Sequence, residues 1–426
     1  MNMNQPTNGG KEQLDRENRA DLGDATRNRR LERSAAEHAS RLMSGEAWSD
    51  FCRSLEEAGQ AILTGEGADE SHVRAAGYRY LLGLVKVGIQ QAAELNPEQP
   101  RFIRICDSDS KAGAENADNS YAHAHIRGDR VYRIWGYRGS VETFLLEIKE
   151  GFMQLGDARN FATLEAPEFQ VEADGTFELF LGGQKREGNW LPLDPDATQV
   201  LIRQYFCDWE NEEPATFSIE CLGHEGVSPP RLEASDAGQI LDEAARHIVG
   251  TTRFWMEWVH DYKAKYDRNK IAPAEFYVGG ADDIAYGNDF YELDSDEAMI
   301  ITFRPPKAKY WAFQLCDLWF KTMDWANRKN SINHRQAHVD DDGLCRVVVA
   351  HKDPGVPNWL DTGGEEAGIL QYRWIWTEDN PQPTLERMPL EQVRSALPKE
   401  TPVVSAEERR TEIYGRQLHR LRRERI

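Results

Sequence analysis

The residues best suited to chemistry lie between His351 and Thr362. They follow an apolar run, Cys345–Ala350, that reads as a strand. His351 and Asp353 are two residues apart, so their side chains can share a face. An imidazole oriented by a carboxylate serves as a general base near neutral pH. Asp361 is the second carboxylate within the segment. Pro354-Gly355 and Pro357 point to a rigid turn, and Trp359 to an aromatic pocket wall. The bland reading is a loop that caps a barrel and buries Trp359. No G-x-S-x-G elbow, Ser-His-Asp order or reactive-cysteine context accompanies the segment, which argues against a nucleophilic hydrolase.

Other clusters compete with it. His123 and His125 form an H-x-H pair on an expected strand, where both rings could reach one metal ion. The nearest downstream acid, Asp129, falls in a turn, so an ordinary polar strand face is the simpler account. Asn116, Asp118 and Asn119 suit local Asx turns, with Asn119 and Tyr121 as candidate ligand contacts. Arg133 and Arg138 could pair with an anion or make cross-strand ion pairs. Arg203 and Tyr205 share a strand face, with Asp208 just beyond; an Arg–Asp pair fixing the strand end is the plainer reading. The stretch Ala281–Tyr291, with Asp282, Asp283, Tyr286, Asn288 and Asp289, reads as an acidic loop or a lid. Asp340 to Gly343 looks like a hairpin turn and lacks calcium-loop spacing. Neither G-x-G-x-x-G after a strand nor a P-loop is present, which sets aside nucleotide cofactors held in those ways.

These groups need elements to hold them. Residues 1–34 are polar and read as a disordered tail. Residues 35–100 carry helical periodicity: Val73, Ala76, Tyr80, Leu81, Leu84 and Ile89 recur along one stripe, stopped by Asn96-Pro97. Residues 101–222 change to short runs with β-branched and aromatic content, a first β unit with Gly128-Asp129 and Asp174-Gly175 as turns. Helical spacing returns over 235–267, with Ser235 as a candidate N-cap. A second β unit spans 272–380, with strands expected at Ala298–Phe303, Tyr310–Cys316, Leu344–Ala350 and Ile369–Trp376. Residues 381–426 read as a helical basic tail. The plainest role for that tail is a solvated helix docked on the protein's own acidic face, with a partner or nucleic-acid contact as the sharper alternative.

Four segments together resemble the bacterial family known as domain of unknown function 1214, often found beside a companion domain numbered 1254. They are Asn116–Tyr121 with Tyr132–Gly139; Gly188–Leu193 with Leu201–Trp209; Tyr310–Leu315 with Ser331–Asn333; and His351–Thr362 continued by Gly368–Arg373. The resemblance covers roughly residues 100–220 and 295–378. It implies a β-rich, jelly-roll-like core with helical additions and supplies no settled catalytic residues.

The expected fold class is α+β, mainly antiparallel β, with β-sandwich units and N-terminal, central and C-terminal helices. A net charge of −21 argues against general affinity for nucleic acid or anionic membrane. No run has the length of a membrane span, and no secretory leader is visible. Six scattered cysteines without a C-x-x-C pair read as reduced thiols in a cytoplasmic protein. The 12 Trp and 14 Tyr suit an aromatic-lined pocket for a sugar, sterol or aromatic compound. Expected ligand contacts are Asn119, Tyr121, Arg203, Tyr205, Tyr310 and Trp359. Cofactor-independent acid–base chemistry would fall to His351, Asp353 and Asp361. The alternatives are a non-catalytic binding or assembly protein, which leaves room for a homo-oligomer, and a metal-dependent enzyme built on His123 and His125.

Overall fold

The computed structural model describes residues 33–94, 96–156, 158–276 and 284–425. The expected disordered tail lies outside the described residues except for its last two positions, and Asp282 and Asp283 lie outside them too.

Helices α1 (Ala35–Ser44), α2 (Glu46–Leu63) and α3 (Ser71–Ala93) open the described chain. Ser34 caps α1 through a reciprocal bond with Glu37, which satisfies free N–H groups of its first turn. Helix α4 (Ala234–Lys265) packs against all three. Ile62, Tyr80, Leu84, Ala244 and Ile248 form the core shared by α2, α3 and α4.

Eighteen strands build four sheets among the described residues. The first five-stranded sheet has the order β1 (Ile103–Ile105), β2 (Asn119–His125), β8 (Gln199–Tyr205), β4 (Thr143–Glu150), β5 (Arg159–Glu165). It packs on a four-stranded sheet of β7 (Asn189–Leu191), β6 (Thr176–Leu181), β3 (Tyr132–Tyr137) and β9 (Thr216–Cys221). Phe144, Leu146, Val200 and Ile202 meet Ile134, Phe177, Leu179 and Ile219 between them. The second five-stranded sheet runs β10 (Glu275–Phe276), β11 (Ile284–Glu292), β17 (Ala367–Thr377), β13 (Ala308–Cys316), β14 (Ser331–Asn333). Its partner is β16 (Trp359–Asp361), β15 (Cys345–Ala350), β12 (Glu297–Phe303), β18 (Thr384–Pro389). Trp311, Phe313, Tyr372 and Trp374 fill that interior with Met299, Ile301, Val347 and Val349. The chain is α+β with two β-sandwiches, and nearly all strand pairs are antiparallel.

The two five-stranded sheets also meet each other. Leu145 and Tyr205 of the first pack on Ile284, Tyr310, Ala312 and Ile375 of the second. Each of these sheets is therefore covered on both faces, so polar residues at alternate positions become interior.

Three sequence expectations are corrected. The stretch Ala281–Tyr291, read as an acidic loop or lid, is from Ile284 onward an inner strand paired along its whole length with β17. Its Asn288 and Asp289 mask the apolar pattern, yet both are buried. Trp359–Asp361, read as loop, adds a short parallel strand beside β15. Thr384–Pro389, assigned to the helical tail, is an edge strand on β12.

The basic tail forms α5 (Val393–Ala396) and α6 (Ala406–Arg423). Helix α6 buries three of its six arginines and its histidine. Arg409, Arg416, His419 and Arg423 lie on its inner face, spaced seven, three and four residues apart. Arg409 pairs with Asp353 at 2.9 Å and sits over the Trp359 ring. Arg416 donates to the carbonyls of Trp325 (2.7 Å) and Ser331 (3.3 Å). His419 stacks on Trp209, and Arg423 covers Trp325 while donating to the Ala117 carbonyl at 2.8 Å. Carbonyls and aromatic faces hold this helix more than acidic side chains do, which is why charge composition alone misjudged it. Replacing Arg416 by Ala leaves two carbonyls without their donor and removes packing on Trp209. A loss of roughly 2–4 kcal/mol is expected in urea unfolding.

Candidate functional site

The sequence-derived candidates fall into two groups. At one end of α6, His351 uses both ring nitrogens structurally. Nε2 donates to the Leu293 carbonyl at 3.1 Å, and Nδ1 accepts from the Thr362 hydroxyl at 2.7 Å. The expected pairing with Asp353 or Asp361 is not made. Asp353 caps its own turn at Gly355 and binds Arg409. Asp361 binds Arg328 at 2.9 Å and the Gly363 N–H. Trp359 is buried and donates to the Ala350 carbonyl at 3.0 Å, so it plugs the sandwich beneath α6.

The other group lies at the opposite end of α6, roughly 20 Å away by the 1.5 Å rise over the 14 residues from Arg409 to Arg423. There the Asn116–Tyr121 loop meets Tyr310 and Asn333. Asp118 accepts from the Tyr310 hydroxyl at 2.5 Å, the Asn333 amide at 2.9 Å and the Trp209 indole at 2.8 Å. Burial raises its pKa, while the bonds from Tyr310 and Asn333 pull it back. Asn116 donates to Tyr310, and Gln314 holds the loop through the Ala114 and Glu115 carbonyls and the Ala117 N–H.

Beside this hub the two five-stranded sheets face each other. The first contributes Tyr121, Arg203, Tyr205 and Glu147 at alternate positions of β2, β8 and β4. The second contributes Tyr286, Arg373 and Tyr310. Arg203 Nε stands 3.0 Å from Glu147 Oε2, an ion-pair distance, yet neither atom makes an aligned hydrogen bond. Burial works against the Arg203 charge, but the Glu147 carboxylate and the Tyr205, Tyr286 and Tyr121 phenols together outweigh it and raise the pKa. Lys149 approaches Glu147 at 3.5 Å. Arg373 lies over the Tyr286 ring, 5.6 Å to the centroid, and donates one N–H to the Ala114 carbonyl. Burial pushes the Tyr121 phenol up to about 12 against the pull of Arg373 and Arg203. Tyr205 meets Tyr310 edge-on at 5.6 Å and Trp376 at 5.5 Å.

Of the expected ligand contacts, Asn119, Tyr121, Arg203, Tyr205 and Tyr310 thus sit at one junction and Trp359 does not. Asn119 is buried with its side-chain oxygen unpartnered. Arg203 pairs with Glu147; Asp208, its expected partner, caps the turn at Glu210 and Asn211 instead. Arg133 makes the cross-strand pairs with Glu178 and Glu220, and Arg138 binds the carbonyls of Val141 and Glu142.

His123 and His125 lie with ring centroids 5.2 Å apart. Burial, with His125 and His247 nearby, holds His123 well below its usual pKa, so it is neutral. No group of three or more metal-ligating side chains is arranged around a cation position among the described residues.

Sequence reading missed Glu147, Tyr286 and Arg373 as a set. The signal was present in the runs themselves: Glu147 and Lys149 interrupt β4, and Gln371 and Arg373 interrupt β17, at period two. A charged residue that alternates with core residues on a two-sided strand must have a buried partner or a ligand.

The family model described as protein of unknown function (DUF1214) matches residues 107–208 and 285–379. A crystal structure of an uncharacterised protein from Burkholderia cenocepacia is 30% identical and superimposes with a TM-score of 0.79, over 83% of this chain and 100% of that one. The chain belongs to the DUF1214 family. A Vibrio parahaemolyticus protein is 12% identical with a TM-score of 0.44, covering 73% of this chain and 98% of its own. No curated protein matches the chain. The two DUF1214 segments supply both halves of the junction: Asp118, Glu147 and Arg203 from one, Tyr310, Asn333 and Arg373 from the other. Helices α1 to α4 and α6 lie outside the matched segments. No helix among the described residues is long and apolar enough to cross a membrane.

Glu115, next to the hub, gives the junction a pH signature. Burial pushes its carboxyl up to about 7, with Lys111 at 3.6 Å and the Thr322 N–H opposing. A raised folded-state pKa means stability present below about 4.5 and lost as pH rises through about 7. Glu115→Gln should therefore flatten the fall in unfolding free energy between pH 5 and 8. Urea titrations across that range check it.

Proposed function

We propose that this DUF1214 protein binds a small molecule between its two five-stranded sheets. The observation that carries the reading is the Arg203–Glu147 pair. Two charged groups stand 3.0 Å apart with Nε and Oε2 both lacking an aligned protein partner. Buried polar atoms in that state are satisfied by water or ligand. Tyr121, Tyr205 and Tyr286 stand around them, and aromatic walls with a few converging polar groups are what small-molecule sites share. Among the sugar, sterol and aromatic classes, the tyrosines favour a flat ring compound, which can stack on them.

His351, Asp353 and Asp361 are outside this reading, because their polar atoms are already engaged by Leu293 and Thr362, by Arg409 and by Arg328 respectively. A cytoplasmic setting agrees with six free cysteines, four of them buried.

Ligand-observed NMR with a mixed library of ring-bearing fragments tests the proposal. Binders are expected whose saturation-transfer signal falls at least fivefold in Tyr286→Ala, with the variant's circular dichroism unchanged. Absence of binders, or binders indifferent to Tyr286→Ala and Arg203→Leu alike, would overturn it.

A further inference from the structure

Glu147 serves both Arg203 and Lys149. Arg373 is buried, with only 4% of its surface exposed, and no carboxylate lies within 4 Å of it among the described residues. One of its terminal nitrogens donates to the Ala114 carbonyl, and the other, Nη1, has no hydrogen-bond partner among the described residues. Asn288 sits two residues along β11 from Tyr286, on the same sheet face, and is fully buried with neither amide atom bonded.

A buried guanidinium without a counter-charge is destabilising unless something supplies the charge. One carbonyl bond and a Tyr286 ring face offset part of that cost. A guanidinium offers paired N–H groups in a fork that matches a carboxylate. The Asn288 amide is a further donor for the second oxygen of such a group or for a ring substituent.

We propose that the ligand is an organic monoanion, a carboxylate on a ring, whose charged end is held by Arg373 and whose ring lies among Tyr121, Tyr205 and Tyr286. This rests on the binding site proposed above and adds its charge preference. The Arg203 charge is matched by Glu147 even though its Nε still lacks an aligned hydrogen bond, so Arg373, with no such match among the described residues, selects the anion. A neutral isostere meets the same rings but leaves Arg373 without a counter-charge. Discrimination by such an unpaired buried group is of the order of tenfold or more.

The experiment is calorimetric titration and thermal shift of the full chain with benzoate and cyclohexanecarboxylate, each beside its neutral isostere, benzamide and cyclohexanecarboxamide. The expected result is at least tenfold tighter binding of the carboxylates. That preference should disappear in Arg373→Gln, whose ring contacts remain. Arg373→Lys, which keeps the charge and loses the fork, should fall between the two. Equal binding of carboxylate and amide, both lost in Tyr286→Ala, overturns the anion assignment and leaves the site standing. A carboxylate preference that survives in Arg373→Gln also overturns it. Binding of none of the four compounds overturns the anion assignment, and the fragment screen then decides separately whether the site itself stands.

Discussion

The Asp118 carboxylate is the fixed point around which the two sandwiches are joined. It is 1% exposed and belongs to the first β unit, yet two of its three side-chain donors, Tyr310 and Asn333, come from the second. The third, Trp209, is also the surface on which Arg416 and His419 of the C-terminal helix rest. A buried carboxylate is costly to desolvate, and three donors with guanidinium groups near it are what make it tolerable. The loop that carries it is pinned in turn by Gln314 and Arg373. Remove the carboxylate and the donors of three separate segments lose their common acceptor.

That joint explains the unusual middle of the molecule. In an ordinary antiparallel sandwich one sheet face is apolar and the other meets water. Here each five-stranded sheet keeps its apolar face for a four-stranded partner and turns its mixed face to the other five-stranded sheet. The mixed faces carry Glu147, Arg203, Gln314, Gln371 and Arg373 into the interior. Some of these groups satisfy one another, as the Gln314 amide does with four carbonyl and hydroxyl oxygens of the joint and its neighbours. Others do not: Glu147 Oε2, Arg203 Nε and Arg373 Nη1 make no aligned hydrogen bond. Joint and site are thus two outcomes of one constraint, polar strand faces brought together away from water.

Much of this was legible in the sequence. The alternation of helical and β regions and the main strands of both units follow from periodicity, and the family from the resemblance carried by four segments, the Asn116–Tyr121 loop among them. The position of the chemistry was not. His351 and Asp353 have the spacing of a catalytic pair, but spacing cannot show that Thr362 and Leu293 occupy the ring or that Arg409, 56 residues on, claims the carboxylate. The strand Ile284–Glu292 was hidden because its interior residues are polar, and hydrophobic patterning is blind to a strand whose core face is built from amides and charges. Three arginines of α6 misled in the same way: Arg409, Arg416 and Arg423 read as solvated and are buried on carbonyls and tryptophans.

The central claim, that Asp118 couples the two sandwiches through Tyr310, is tested most directly by a double-mutant cycle. Unfolding free energies of the wild type, Asp118→Asn, Tyr310→Phe and the double variant give the interaction energy. A coupling of about 1.5–3 kcal/mol, the range for a hydrogen bond to a charged group, is the predicted result. Additive losses, with a coupling near zero, would contradict it.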